Sequence, residues 1–323
     1  MKWDVKAGMV QKMVFHKLYK GRKVNSFEPA LESMDRRDGQ GRRIINDLKY
    51  GTAYPNSFLD LMYPAEETGA LPVLLYFHGG GFLFGSKNSG DPLAAGNVSA
   101  GSFLENVRNL GIVVANADYA LAPEYRFPTA LEQVDEALVF ITENAEKYGL
   151  DPNRIILGGS SAGAILTEIF GLMLKDPSYA DQIGVRPSIR PEQIIGLIID
   201  EAPLCIRDFN NDDMDTMLGC WLGENDLLHA DVTALLDVPD HLKDYYPSFV
   251  AASNVQHFFP DAAEKLVKVL EEKEIPYVYD YPDPSLGKYD HGYLSTDPSD
   301  PVVERGLGKI REFLGSIMQN KNE

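Results

Sequence analysis

The stretch Gly158-Gly159-Ser160-Ser161-Ala162-Gly163-Ala164 carries the pattern G-x-S-x-G in Gly159, Ser161 and Gly163. Residues 154–157 before it read as a buried strand, and residues 164–174 after it as a helix. In that setting the motif predicts a sharp strand-to-helix turn with Ser161 at its tip. Glycines two positions away on either side are needed because a Cβ there would collide with the strand or the helix. The turn lifts the Ser161 hydroxyl out of the sheet. It also sets the hydroxyl near a helix N-terminus, where the dipole favours developing negative charge. A plain Gly/Ser turn capping a helix would use the same residue types, so a second motif has to decide between the two.

His78-Gly79-Gly80-Gly81-Phe82 is that motif, directly after the apolar run at 73–77. Acyl transfer builds an alkoxide, and preorganised donors must meet its charge. A glycine loop can turn its N–H groups inward and let a substrate come close. Paired with a nucleophile elbow it predicts an oxyanion hole, with the amide after the nucleophile, Ala162, as a further donor. A phosphate-binding loop is excluded by the missing G-K-[ST] ending and dinucleotide spacing. His78 reads as an orienting residue rather than a base.

Outward from these loops the chain alternates. Runs at 73–77, 112–115, 155–157, 194–199 and 249–252 are apolar without a polar face, which predicts strands buried in a parallel sheet. Helical stripes lie between and after them, at 128–148, 262–273 and 303–317. Two shorter strand-like runs, at 44–50 and 58–63, flank the turn residues Tyr54-Pro55-Asn56-Ser57 and predict a meander at a sheet edge. The expected class is α/β, a mostly parallel twisted sheet with helices on both faces. Residues 1–40 read as an amphipathic helical arm, and 41–323 as one catalytic domain. Residues 205–246 are polar and read as an irregular insertion; the acidic run from Asp208 to Asp215 lacks the glycine and terminal glutamate of a calcium loop.

These motifs, with Asp118-Tyr119-Ala120-Leu121-Ala122-Pro123-Glu124, Phe127-Pro128 and Tyr148-Gly149-Leu150-Asp151-Pro152, resemble the hormone-sensitive-lipase-like esterases of the α/β-hydrolase fold. The resemblance runs in order from about residue 71 to 313. It implies a serine carboxylesterase acting on short-chain acyl esters, acetyl esters among them, without metal or cofactor. It implies an N-terminal cap, which suits residues 1–40, and oxyanion donors at Gly79, Gly80 and Ala162. Relatives of this kind occur as monomers or dimers, so a homodimer is compatible with it. Some proteins of the family keep the fold and bind a ligand without turnover, which is the rival reading. The chain departs from the family at Ser160, where aspartate is usual, and at Ala164, where glycine is usual.

A serine hydroxyl needs a base. In this fold the base comes late in the chain. His291, in Tyr289-Asp290-His291-Gly292-Tyr293, follows the strand expected at 276–281 and resembles the family's His-Gly-Phe segment. The acid is less plain. Counting back from Glu274-Ile275-Pro276 puts His257 on the position the family gives to its aspartate, and Asp261 on a second acidic position. Asp261 is the acid expected if the loop is shifted. Asp200 or Glu201, at the end of the preceding strand, is the alternative. A site with no acid, His257 or Asn254 merely orienting the base, is the third arrangement. Asp290 is set aside because a neighbour in sequence points away. Phe82, Phe84 and Tyr293 are expected to line an apolar pocket or simply to pack.

The whole chain limits the partners. Its formal net charge of −18 opposes nucleic acid and anionic membranes, which need a basic surface. Two cysteines, Cys205 and Cys220, are too few for a disulfide framework and suit a reducing compartment. The N-terminus shows no signal-peptide pattern, and no apolar run is long enough to span a bilayer. The expectation is a cytoplasmic protein with a small-molecule ester as its partner.

Overall fold

The computed structural model describes residues 9, 25–27, 34–87, 101–202, 212–223, 231–255 and 258–319. Among them, nine strands form one sheet: β1 (Asp35–Arg37), β2 (Arg43–Lys49), β3 (Phe58–Met62), β4 (Leu71–Phe77), β5 (Val113–Ala117), β6 (Leu150–Ser160), β7 (Ile194–Asp200), β8 (Ser248–Ala251) and β9 (Tyr277–Asp280). Their spatial order is β1-β2-β3-β5-β4-β6-β7-β8-β9. β1, β2 and β3 form the antiparallel meander expected at the edge, and β3 meets β5 antiparallel. From β5 to β9 every neighbouring pair is parallel.

The continuous apolar runs explain the layers. Along β4, Val73, Leu75 and Phe77 face one core, while Leu74 and Tyr76 face the other. The first core takes the helices Thr129–Glu143, Ala162–Lys175 and Phe258–Glu272, and the second takes Gly101–Arg108 and Pro301–Gln319. A strand covered on both sides reads as a near-continuous apolar run, and β4 and β7 are buried throughout, with Asp200 at the end of β7 the one charged residue in the two. The long helical stripe at 128–148 divides at Asn144, whose side chain donates to the Phe140 carbonyl (2.9 Å).

The topology also locates a crevice. The chain leaves β4 for β5 on one side, then returns past β4 to β6 on the other. Beyond the carboxyl ends of strands at such a reversal, an open α/β sheet leaves room for a ligand. The glycine loop leaves β4 there, and Ser161 follows β6.

Two expectations about segments change. The arm at 1–40 falls largely outside the described residues, but its end is a strand, not a helix. β1 pairs with β2 (Asp35 opposite Ile45) across a turn in which the Asp38 carboxylate accepts from the Gln40 and Arg42 amides and Gly41 takes a left-handed φ of 78°. In the insertion, the described residues form the helices Asp212–Leu222, Asp231–Leu236 and Val238–His241 rather than irregular chain. Met217, Leu218, Cys220 and Trp221 are buried there. Their burial outweighs the solvation of the acidic run before them. No helix among the described residues is long and apolar enough to cross a membrane.

Candidate active site

Ser161 stands on the turn that its glycines predict. Its backbone lies at φ 53°, ψ −114°, a region costly for a side-chain-bearing residue. Its amide donates to the Asp200 carbonyl (2.8 Å), tying the turn to β7. A Cβ on Gly163 would overlap the Phe77 carbonyl, and one on Gly159 would overlap Gly163 itself. The ends of β4 and β6 and the first turn of the helix therefore interlock, and only glycine allows it. The Ser161 side chain makes no capping bond to the helix it precedes. That removes the helix-cap account of this turn.

The glycine loop is held in an unusual backbone course. Gly80 (φ 112°), Gly81 (φ 58°) and Phe82 (φ 63°) are consecutive positive-φ residues. A Cβ on Gly80 would overlap the Phe84 carbonyl, so this glycine is required by close approach as well. Among the described residues, no acceptor takes the amide N–H of Gly79, Gly80 or Ala162. Three donors left unpaired beside one serine form a site that an oxyanion could fill.

His78 is built in as a support. Its ring stacks on Tyr119 (4.3 Å, 13°), its Nδ1 lies 2.7 Å from the Gly79 carbonyl, and the Tyr119 hydroxyl donates to the His78 carbonyl (3.0 Å). Its Nε2 lies 3.7 Å from Asp118. The Lys87 amide donates to Asp118 (2.5 Å), and the buried Lys87 ammonium donates to Asp47 (2.7 Å) and Asp60 (2.8 Å).

Burial raises the Asp118 carboxyl from 3.8 to about 7, although the Lys87 charge pulls it down. A raised acid binds its proton more tightly folded than unfolded. Its contribution to stability is therefore fully present below 3.8 and is lost as pH rises through about 7. Thermal melts at about pH 5 and about pH 8 should show wild type losing stability, and Asp118→Asn losing less. Equal losses in both proteins would contradict this.

The carboxylate that meets His291 is Glu201. Its Oε2 lies 2.6 Å from His291 Nδ1, and its Oε1 accepts from the Gly292 amide (2.9 Å). The glutamate is 1% exposed and the histidine 3%. Glu201 is the first residue after β7, the strand beside β6; its φ is 58° and its amide donates to the Ala251 carbonyl (3.0 Å). The His291 ring stacks face to face on Phe259 (4.3 Å, 4°).

Asp261 is not the partner of His291. It lies exposed in the first turn of the helix Phe258–Glu272, and its carboxylate makes no hydrogen bond to His291. The physical reason is direction: a carboxylate at the end of β7 projects beside β6, whereas the helix holds Asp261 towards solvent. Asp200 is buried at the end of β7, level with Ser160. Asn254 braces the histidine loop, accepting from the Tyr289 amide (2.8 Å) and donating to the Gly287 (2.9 Å) and Pro282 (3.2 Å) carbonyls. Asp290 is exposed, and His257 lies outside the described residues.

The insertion roofs the glycine loop. Trp221 stacks on Phe82 (3.7 Å, 5°) and meets Phe127 edge-on (5.3 Å). Its carbonyl accepts from the Phe127 amide (2.9 Å). Met217 sits so close that a Cβ on Gly81 would overlap its sulfur. Sequence reasoning missed this helix. The signal was there: Met214, Met217, Leu218 and Trp221 recur at helical spacing. Phe82 and Phe84 are buried, and the Tyr293 hydroxyl is bonded to Asp280. Among the described residues, no group of three or more His, Cys, Asp or Glu side chains could hold a metal ion.

Comparison with known proteins follows the same lines. A family model described as alpha/beta hydrolase fold matches residues 74–281. Esterase LipI of Mycobacterium tuberculosis is 27% identical over 185 residues, 56% of this chain and 54% of that protein. Arylacetamide deacetylase of Bos taurus is 37% identical over 152 residues, 45% of this chain and 36% of that protein. The chain thus spans about a third to a half of the length of the relatives it matches. Esterase B of Lactobacillus rhamnosis shares the fold with a TM-score of 0.72 at 18% identity, over 98% of this chain and 95% of that one.

Proposed function

The chain belongs to the alpha/beta hydrolase fold family, in its hormone-sensitive-lipase-like branch, and from that premise we propose that it is a serine carboxylesterase of short-chain acyl esters. Ser161 attacks the ester carbonyl while His291 takes the hydroxyl proton on Nε2. Glu201 holds the Nδ1 proton and steadies the imidazolium that forms. The amides of Gly79, Gly80 and Ala162 bond the oxyanion. Collapse breaks the bond to the alkoxy oxygen, and His291 returns the proton to the leaving alcohol. Water, deprotonated by the same histidine, then adds to the acyl-serine, and the acid leaves with Ser161 restored. The observation that carries this reading is the buried Glu201–His291 pair, one residue beyond the Asp200 carbonyl that takes the Ser161 amide, together with the unpaired loop amides.

The short-chain part rests on Met217 and Trp221, which press on Gly81 and Phe82 and take up room beside the loop. A deacetylase among the relatives makes an acetyl ester the first substrate to try. A protein that only binds its ligand is the reading that a missing acid, with His257 in the family's acid position, would favour. With Glu201 on the base, that motive is gone.

The test is hydrolysis of p-nitrophenyl acetate, butyrate and octanoate. The kcat/KM for acetate and butyrate should exceed that for octanoate by about tenfold or more, since each misfitted methylene in a closed pocket costs about 1–3 kcal/mol. A preference for octanoate would overturn the short-chain reading. Absence of Ser161-dependent turnover on every ester would favour ligand binding.

A further inference from the structure

Two residues beyond His291, the Tyr293 hydroxyl donates to the Asp280 carboxylate (2.5 Å). Both side chains are buried, Tyr293 at 1% exposure and Asp280 at 0%. Asp280 ends β9 and is held from the last helix by Arg305 (3.0 Å) and Lys309 (2.9 Å). Its backbone carbonyl accepts from the Ala252 amide (3.1 Å), which fixes it against the end of β8. The last helix can approach only because residue 306 is glycine: a Cβ there would overlap Leu294 and press on the Asp280 carboxylate. Asp280 is therefore a fixed post, and the short helical turn Tyr293–Ser295 hangs from it.

The turn connects directly to the base. Gly292, in the left-handed region at φ 81°, joins Tyr293 to His291 and gives its amide to Glu201. Glu201 thus holds the segment at His291 and Gly292, and Asp280 holds it at Tyr293. Rotation of the segment about the Glu201 contacts would swing the imidazole away from Ser161, and the Tyr293 bond opposes it. Burial, then the Asp280 charge, keep the phenol pKa well above its ordinary value, so the hydroxyl remains a donor. The hydroxyl is also where this segment departs from the His-Gly-Phe pattern it resembles. Packing alone would need only the ring.

We propose that Tyr293 is a positioning residue for His291, its hydroxyl anchored on buried Asp280 so that the imidazole is presented to Glu201 and Ser161 at once. Tyr293 has that role in the esterase chemistry proposed above, while the imidazole proton reports the placement whether or not ester is turned over.

The test compares wild type with Tyr293→Phe, which removes one hydroxyl and keeps the ring. Two quantities are read: the kinetics on p-nitrophenyl butyrate, and the far-downfield proton resonance of His291 Nδ1–H, identified by its loss in His291→Gln. In Tyr293→Phe, kcat should fall by about ten- to a hundredfold with KM within about twofold, as for a misplaced reacting group. The resonance should broaden or move. An unmoved resonance overturns the proposal, whether kcat is kept or lost. So does a loss confined to KM. If wild type shows no Ser161-dependent turnover, the esterase reading fails by itself, and the resonance alone decides the role of Tyr293. Asp280→Asn is the second variant, used if Tyr293→Phe does not fold. It should move the same resonance.

Discussion

Ser161→Ala is expected to lower kcat on p-nitrophenyl butyrate by about 10⁴–10⁶-fold, with KM little changed. The size follows from what the hydroxyl does. Without it no acyl-enzyme forms, and water must attack the carbonyl in the absence of a placed nucleophile. Some rate should remain, because the loop amides and the bound geometry still act; in a comparable site they give about 10³–10⁴ over water. The variant should fold as wild type does. Alanine fits the space, although it must accept the same left-handed backbone. Ser160→Ala is the control: its side chain is a neighbour of the elbow and takes no part in the chemistry. Kinetics that follow Ser160 and spare Ser161 would refute the assignment.

Glu201→Gln should cost about 10³–10⁴-fold in kcat, while Asp261→Asn should stay within about twofold. The first effect is one of tautomer and charge. Glutamate offers His291 Nδ1 only acceptor oxygens, so the ring proton sits there and Nε2 is free to take the serine proton. Glutamine carries one oxygen and one amide. If the oxygen stays with the Gly292 amide, the side-chain NH2 faces Nδ1 and favours the wrong tautomer. The imidazolium also loses a buried counter-charge. Asp261, exposed on a helix, is a surface change. Kinetic analysis of the two variants settles which carboxylate serves. A large loss in Asp261→Asn with Glu201→Gln active would reverse the assignment.

The two glycine-bearing loops were legible because their requirement is local. Gly163 is forced by contact with the Phe77 carbonyl and Gly80 by contact with the Phe84 carbonyl, so the residue types announce the turns. The parallel strands were legible because burial on both faces leaves no polar position in β4 and only the terminal Asp200 in β7. His291 is legible as a candidate from chain order alone.

The acid was not fixed by such means. Its position depends on which strand end faces His291 in space, and β7 is ninety residues earlier in the chain. Glu201 stood among the alternatives because it ends a strand, but nothing local separates it from Asp200. What separates them is the turn at the strand end: Asp200 is the last residue of β7, and Glu201 follows it at a φ of 58° with its carboxylate on His291. The roof over the glycine loop was hidden for another reason. Asp208 to Asp215 suggested solvated chain, and the apolar stripe through Met217 and Trp221 begins before that run has ended.

Labelling with a fluorophosphonate, followed by mass spectrometry of the digested protein, reads out whether Ser161 is activated. An activated serine reacts quickly and a plain hydroxyl does not. A single adduct is expected, on the peptide that holds Ser161, slowed strongly in His291→Gln and in Glu201→Gln. An adduct on another residue, or no labelling of a folded wild-type protein, would contradict the claim that Ser161, His291 and Glu201 work as one site.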